Sequence, residues 1–343
     1  MRKSQLLATA FVHSGAVQVF DMAWGKERLT VLAYHRILDP SSPGFDEYEP
    51  NVSATPELFA REMEYVAKHF SVIDLAALRA HIEQGTPLPP RPLLITFDDG
   101  YLDNYQNAYP ILKQRGLPAV IFLITEKMDH PTRPWWDECA YYFHHTPRQQ
   151  AKLPILGDTD LSAPALRRAA RESLMSQMKT LPETDKLAVL HDLSSALDVA
   201  LPANDARMFI TWDEVRELVA NGVACQPHTD NHPILTRVSP DEMRHQLIAS
   251  KTRIEQETQQ DVYAFAYPNG TPDDYDRATI DTLRDTGYSL AVTLFPGPML
   301  AKHVRRHPFE IPRVYLSHRD TLDRFIMKVM GVPALLEFPR FVS

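Results

Sequence analysis

Two adjacent carboxylates, Asp98 and Asp99, and two histidines with three residues between them, His228 and His232, have the types and spacing that suit hydrolytic chemistry. Adjacent side chains on an extended backbone point in different directions, so the two carboxylates need not share a task. One could ligate a metal ion while the other moves protons. Two imidazoles and one carboxylate form a standard set for zinc or a similar divalent ion that keeps a position open for water. Such an ion lowers the pKa of bound water enough to make a nucleophile near neutral pH. Each motif alone is weak, because Asp-Gly punctuates many turns and a His-x3-His pair arises readily by chance.

Placement strengthens both. Leu93-Leu94-Ile95 shows no polar alternation and reads as a strand buried on both faces, the pattern of a parallel sheet covered by helices. It runs into Asp98-Asp99-Gly100, and in α/β barrels and open α/β sheets chemistry collects at the carboxyl ends of strands. Val223 to Gln226 reads as a short strand feeding His228 to Pro233, so both motifs can meet at one end. Leu29 to Ala33 is another buried strand, ending in Tyr34-His35. The segment 104–115 reads as a helix with Pro110 inside it, followed by a strand from Ala119 to Ile124. This is a βαβ unit with parallel strands. Thr55 with Pro56 starts a helix to about His69. Thr211 and Glu214 form a capping box for a helix to Ala220, and Ser239-Pro240 opens a long polar helix to about Gln259. Strands at 262–267, 289–293 and 311–316 extend the α/β alternation.

Residues from about 128 to 208 have little β-branched content and helical periodicity over 166–181 and 186–199. They read as a mainly helical insertion within a domain spanning 28–318. Residues 1–27 begin like a weak signal peptide, but His13 and Ser14 cut the apolar run short and no small-x-small cleavage site follows. An amphipathic lead-in helix is the better reading. The tail, 319–343, is amphipathic and rich in Phe and Met, which suits core packing, with a membrane or partner surface as the alternative. No run approaches the length of a membrane-spanning helix. Without a firm signal peptide the expected location is cytoplasmic, with peripheral membrane contact through a tail as the alternative. The 343 residues are 44% hydrophobic and 23% charged, as in ordinary globular proteins. A net charge of −8 and pI near 6.0 argue against a nucleic-acid partner. Cys139 and Cys225 form no CxxC and no disulfide framework, which fits a reducing compartment.

Three segments in order, Thr96-Phe97-Asp98-Asp99-Gly100-Tyr101, His228-Thr229-x-x-His232-Pro233 and Phe265-Ala266-Tyr267-Pro268-Asn269-Gly270, resemble the successive motifs of the polysaccharide deacetylases, the NodB-homology carbohydrate esterases. The resemblance covers roughly residues 28–127 and 209–318. It implies an α/β fold of the distorted (β/α) barrel type. It also implies metal-dependent removal of an acetyl group from an N-acetylhexosamine in a polysaccharide or glycan precursor. By the same resemblance Asp98 matches the general base, and Asp99, His228 and His232 match the metal ligands. Zn2+ is the implied ion, with Co2+ or Ni2+ as alternatives. The backbone N–H of Asn269 matches the oxyanion position, and Tyr101 falls beside the substrate.

The sequence departs from the commonest family pattern in several places. The catalytic acid usually sits in a Leu-x-His motif after the third segment, and the nearest candidate is His318 in Leu316-Ser317-His318. His35 is the better candidate. It resembles the branch with permuted strand order, as in biofilm poly-N-acetylglucosamine deacetylases, where the acid comes from an N-terminal Tyr-His strand. Ala266 stands where many members carry an arginine that orients the base. Arg313, in Ile311-Pro312-Arg313, is the candidate replacement, with an ordinary surface arginine as the alternative. Cys225 reads as core rather than ligand. Trp135 and Trp136 suit either a stacking platform for sugar rings or an anchor for the insertion. A carbohydrate-binding or scaffold protein with little activity remains the second functional reading.

Overall fold

The computed structural model describes residues 3–14, 27–202 and 207–333. Seven strands form its frame: β1 (Arg28–Tyr34), β2 (Pro92–Asp99), β3 (Ala119–Leu123), β4 (Val223–Pro227), β5 (Ala264–Ala266), β6 (Leu290–Pro296) and β7 (Ile311–Tyr315). All pair in parallel, in the order β5-β6-β7-β1-β2-β3-β4. Each strand therefore lies beside its neighbour in sequence, β7 returns beside β1, and the one break in the ring falls between β4 and β5. The result is a nearly closed parallel barrel. Every residue of β1, β2 and β3 is buried, as their unbroken apolar runs require when helices cover one face and the barrel interior fills the other.

Side chains bridge the break where no backbone ladder does. The Gln226 Oε1 accepts from the backbone N–H groups of Tyr263 at 3.0 Å and Ala264 at 2.9 Å, and its Nε2 donates to the Asp261 carbonyl at 3.3 Å. A primary amide carries the same donor and acceptor as a peptide group. In this way Gln226 stands in for the missing rung.

The surrounding helices begin where the sequence signals placed them. Thr55 Oγ1 accepts from Leu58 N at the head of Pro56–His69. Thr211 and Glu214 close a reciprocal capping box on Trp212–Ala220, and Ser239 caps Pro240–Thr258. The segment expected as one helix over 104–115 differs. A π turn spans Asn104–Ala108, and the α-helix runs only over Tyr109–Arg115, with Pro110 in its first turn. Proline has no N–H to donate, so it is tolerated at a helix start but not in its interior.

The insertion carries the helices Trp135–His145, Pro164–Met178 and Glu183–Leu197. They bury a cluster of their own, including Trp136, Leu174, Met178, Leu193 and Leu197. It also contains an antiparallel hairpin, Gln150–Leu153 with Gly157–Asp160, that the sequence reading did not foresee. Both strands are short and mostly polar, so they lack the β-branched signature. Their pairing follows from a turn in which Ile155 and Gly157 take positive φ.

The expected lead-in is helical over Lys3–His13, and residues 15–26 lie outside the described set. In the tail, Leu322–Val329 is a helix that buries Phe325, Ile326 and Val329, and residues 334–343 lie outside the described set. The two end helices meet where Thr9 Oγ1 donates to Asp323 Oδ2 at 2.7 Å. No helix among the described residues is long and apolar enough to cross a membrane.

Candidate active site

The carboxyl ends of the strands deliver the chemistry-bearing residues to one cavity of about 430 Å³, lined by His35, Asp98, Asp99, His228, His232 and Asn269 among others. His35 follows β1, Asp98 and Asp99 end β2, His228 follows β4, and Asn269 follows β5. Several of them hold unusual backbone. Asp99 (φ 75°), Thr229 (φ 68°), His232 (φ 66°) and Asn269 (φ 57°) all lie in the left-handed region. Non-glycine residues in that region cost energy and persist where the surroundings over-determine them, commonly at functional sites. Gly270 shows why one neighbour must lack a side chain. At φ 68° a Cβ there would lie 2.8 Å from Leu294 N and 3.2 Å from the Tyr267 carbonyl oxygen.

Asp98 and Asp99 have opposite surroundings. Arg313 reaches Asp98 from β7 with a two-pronged contact, at 2.7 Å to Oδ1 and 2.8 Å to Oδ2. The guanidinium is fully buried and also donates to the Thr293 carbonyl and to Thr96 Oγ1. Burial alone would raise the Asp98 carboxyl. The Arg313 charge overrides it and, with lesser help from His228 and His35, holds that carboxyl at about 2. Asp98 is therefore ionised at any working pH. Asp99 is also buried, and burial together with the Asp98 charge beside it pushes its carboxyl well up. Its Oδ1 has no hydrogen-bond partner.

That orphaned oxygen faces the two histidines. His228 Nε2 lies 3.6 Å and His232 Nε2 3.8 Å from Asp99 Oδ1, and ligating atoms of the three residues lie within 4.8 Å of one another. His228 Nδ1 contacts the Ala266 carbonyl at 2.8 Å. This fixes a tautomer with the proton on Nδ1 and leaves Nε2 a lone pair toward Asp99. The Trp136 ring packs edge-on to His232 at 4.7 Å between centroids. Burial drives both imidazoles below their ordinary pKa, so they stay neutral, the form that binds a cation. The donor set and the unsatisfied carboxylate oxygen fit a divalent metal ion.

His35 Nε2 stands 3.9 Å from Asp98 Oδ2, and burial presses its pKa down to about 4. Its backbone is tied on both sides, with N donating to Ser53 Oγ and O accepting from Asn104 Nδ2. The π turn thus holds the end of β1 in place. His318 does not line the cavity. It contacts the Val52 carbonyl at 3.0 Å and Glu49 Oε1 at 3.1 Å. Asn269 lines the cavity, and its N–H makes no hydrogen bond among the described residues.

Tyr101, expected at the substrate, is instead fully buried behind the site. Its hydroxyl donates to Asp137 Oδ2 at 2.7 Å and accepts from Trp136 Nε1 at 2.6 Å, and the Arg36 guanidinium covers its ring at 4.3 Å. The ring therefore ties the barrel to the insertion. Trp136 is held by this anchor and lines the cavity with Trp135. Cys225 is core, facing Ile121 across the β3–β4 ladder, and burial raises its thiol to about 12. The sequence reading missed the insertion's further contribution to the cavity wall, Met175 and Lys179, and that of Tyr48 and Asn51 from the loop after β1. No local motif marks these positions, because only the fold of the insertion brings them over the barrel mouth.

Barrel, carboxylate pair and histidine pair together define a class of hydrolases that cleave N-acetyl groups at the mouth of a parallel barrel. The family model for polysaccharide deacetylases matches residues 85–291, and the chain belongs to that family. The Bacillus subtilis protein YxkH is 23% identical over 205 residues, covering 60% of this chain and 45% of the relative. The poly-beta-1,6-N-acetyl-D-glucosamine N-deacetylase of Escherichia coli is 28% identical over 113 residues, which are 32% of this chain and 16% of that protein. The matches thus span less than half the length of these curated relatives. Among solved structures, the Streptococcus pyogenes deacetylase PplD superposes with a TM-score of 0.59 at 18% identity, covering 89% of this chain and 99% of that one. IcaB from Ammonifex degensii gives 0.55 at 17% identity, covering 90% and 98%. At these identities the structural likeness is one of fold.

Proposed function

We propose that the protein is a divalent-metal-dependent N-deacetylase acting on an N-acetylhexosamine in a polysaccharide or glycan precursor, with Zn2+ as the working ion and Co2+ or Ni2+ as substitutes. The observation that carries this reading is the division of labour between adjacent carboxylates. Arg313 keeps Asp98 ionised but occupied with a cation of the protein's own, while Asp99 leaves an oxygen unsatisfied between two neutral imidazoles.

Asp99, His228 and His232 would hold the metal. A divalent ion there supplies a Lewis acid that polarises the acetyl carbonyl and eases deprotonation of water. Asp98 takes the proton of the attacking water as general base. The Asn269 N–H donates to the oxygen that gains charge as the carbonyl carbon becomes tetrahedral. His35 then protonates the departing amine. Since His35 rests neutral, it must first gain a proton, and Asp98 Oδ2 is the group placed to supply it. Trp135, partly exposed at the cavity wall, offers an apolar surface for a sugar ring.

The test is acetate release from N-acetylglucosamine oligomers by metal-stripped protein with Zn2+ or Co2+ restored. Activity should return with metal and fall ~10²–10⁴-fold in Asp98→Asn, the range for loss of a general base. A protein that binds these oligomers and metal yet releases no acetate from any acetylated glycan would be a carbohydrate-binding scaffold instead.

A further inference from the structure

Beside the reaction cavity lies a second cleft, of about 520 Å³, lined by Arg167, Arg168 and Arg171 together with His144, Ser162 and Glu49. The three arginines fall in the first two turns of the helix Pro164–Met178. Only Arg167 falls within the first turn, where the helix dipole is felt, and Arg168 and Arg171 lie beyond it. The N-terminus of a helix carries partial positive charge, so cations there are unfavourable and anions favourable. The same helix has no acidic residue in its first turn, and Ala163 at the cap position supplies no side-chain acceptor.

Nor does the protein neutralise the cluster. Arg167 spends its donors on the carbonyls of Leu161, Thr146 and Arg148, none of them charged. Arg171 Nε is buried with no hydrogen-bond partner, and neither Arg168 nor Arg171 pairs with a carboxylate among the described residues. Glu49, the one acid in the lining, is engaged by Arg319 at 2.8 Å and His318 at 3.1 Å, and feels the Arg168 charge only through space. In a chain of net charge −8, three arginines lining one cleft are a local concentration of positive charge, not a reflection of overall composition.

The cleft and the reaction cavity have no lining residue in common, but one side-chain contact links their walls. The Arg171 guanidinium lies 5.2 Å from the ring centre of Tyr48, which lines that cavity. On the same helix Arg168, Arg171, Met175 and Lys179 follow one another at spacings of three and four residues, so they share a face. Met175 and Lys179 line the reaction cavity. Arg171 precedes Met175 by one turn, ~6 Å along the axis.

We infer that the glycan carries an anionic group, a phosphoryl or a carboxylate, which docks on Arg168 and Arg171 at this helix end while the neighbouring N-acetyl group sits in the reaction cavity. Arginine suits either oxyanion, since its planar fork presents paired donors to two oxygens at once. The inference rests on the deacetylase reading of the adjoining site and narrows its substrate class to acidic glycans.

The experiment compares three fluorescently tagged N-acetylglucosamine oligomers of equal length: neutral, alternating with a uronate, and bearing a phosphate. Equilibrium binding is followed by anisotropy and acetate release is followed in parallel. With wild-type protein at low salt, one or both anionic oligomers should bind about tenfold or more tightly than the neutral one, a difference that fades as salt screens the contact. The arm that gains identifies the anion. In Arg168→Gln/Arg171→Gln the ratio should fall to near one, and the surface variant Arg168→Gln alone should lower it in part if the double variant folds poorly. Equal binding of all three oligomers by the wild type, or an anionic preference unchanged in the variants, would overturn the inference while leaving deacetylation standing. Anionic preference in binding without acetate release from any oligomer would retain the subsite and remove the enzymatic reading.

Discussion

At the scale of the residue, the site turns on how one arginine separates two neighbouring carboxylates. Burying Arg313 and Asp98 without each other would be costly, and pairing them through two hydrogen bonds offsets that cost. Removing the arginine should therefore cost about 3–5 kcal/mol of stability as well as disturb the base. In Arg313→Gln the Asp98 carboxyl loses the charge that holds it near 2, and burial then acts unopposed to raise it. The protonated fraction grows at a given pH, so the acid limb of the pH profile for kcat/KM should move upward in Arg313→Gln. A profile unchanged in position would mean that Arg313 does not set the state of the base. The sequence carried much of this site. Asp98, Asp99, His228, His232, His35 and Asn269 all reach one cavity, because a strand's end position can be read from its apolar run. Tyr101 went astray because a motif gives a residue's place on the chain and not the direction in which its ring packs.

At the scale of the element, local signals were reliable where chemistry is local and silent where it is not. The caps at Thr55, Thr211 and Ser239 are satisfied within three residues of themselves, so the sequence shows them directly. The hairpin at 150–160 depends on pairing two polar segments, and nothing within either segment announces it. Pro110 did carry a signal, since a proline inside an expected helix marks a boundary, and the chain answers with a π turn ahead of it. The turn after β5 allows a direct test. Gly270→Ala would place a Cβ 2.8 Å from Leu294 N at φ 68°, which should cost about 1–3 kcal/mol of stability. Because Leu294 and Asn269 line the cavity, acetate release should fall as well. Gly222→Ala, also at positive φ but with open space around it, should lower the thermal midpoint by less. Equal losses in the two variants would show that crowding at Leu294 is not the constraint.

At the scale of the whole molecule, one buried acid links stability to pH. Glu62, on Pro56–His69, is fully buried and accepts from the Tyr34 hydroxyl at 2.8 Å. Burial raises its carboxyl from 4.5 to about 8. The folded state therefore holds a proton there that the unfolded chain releases above about 4.5. The sign follows from linkage. The contribution to stability is fully present below about pH 4.5 and is lost progressively as pH rises through about 8, a fall on the order of a few kcal/mol. Denaturant unfolding of the wild type from pH 5 to 9 should show this decline, and Glu62→Gln should flatten it. A pH dependence that is the same in the wild type and in Glu62→Gln would mean that Glu62 folds as an ordinary ionised carboxylate.

The ring of strands is held across its break by the Gln226 amide, and His228 leans on Ala266 across the same break. Proteins open locally at their least protected joints well before they unfold as a whole. Here the joint that lacks a backbone ladder is also the mount of a candidate metal ligand. Heating should therefore extinguish activity some degrees below the main unfolding transition, with metal released in the same interval. Hydrogen exchange should register it as early loss of protection at Tyr263 and Ala264, earlier still in Gln226→Leu.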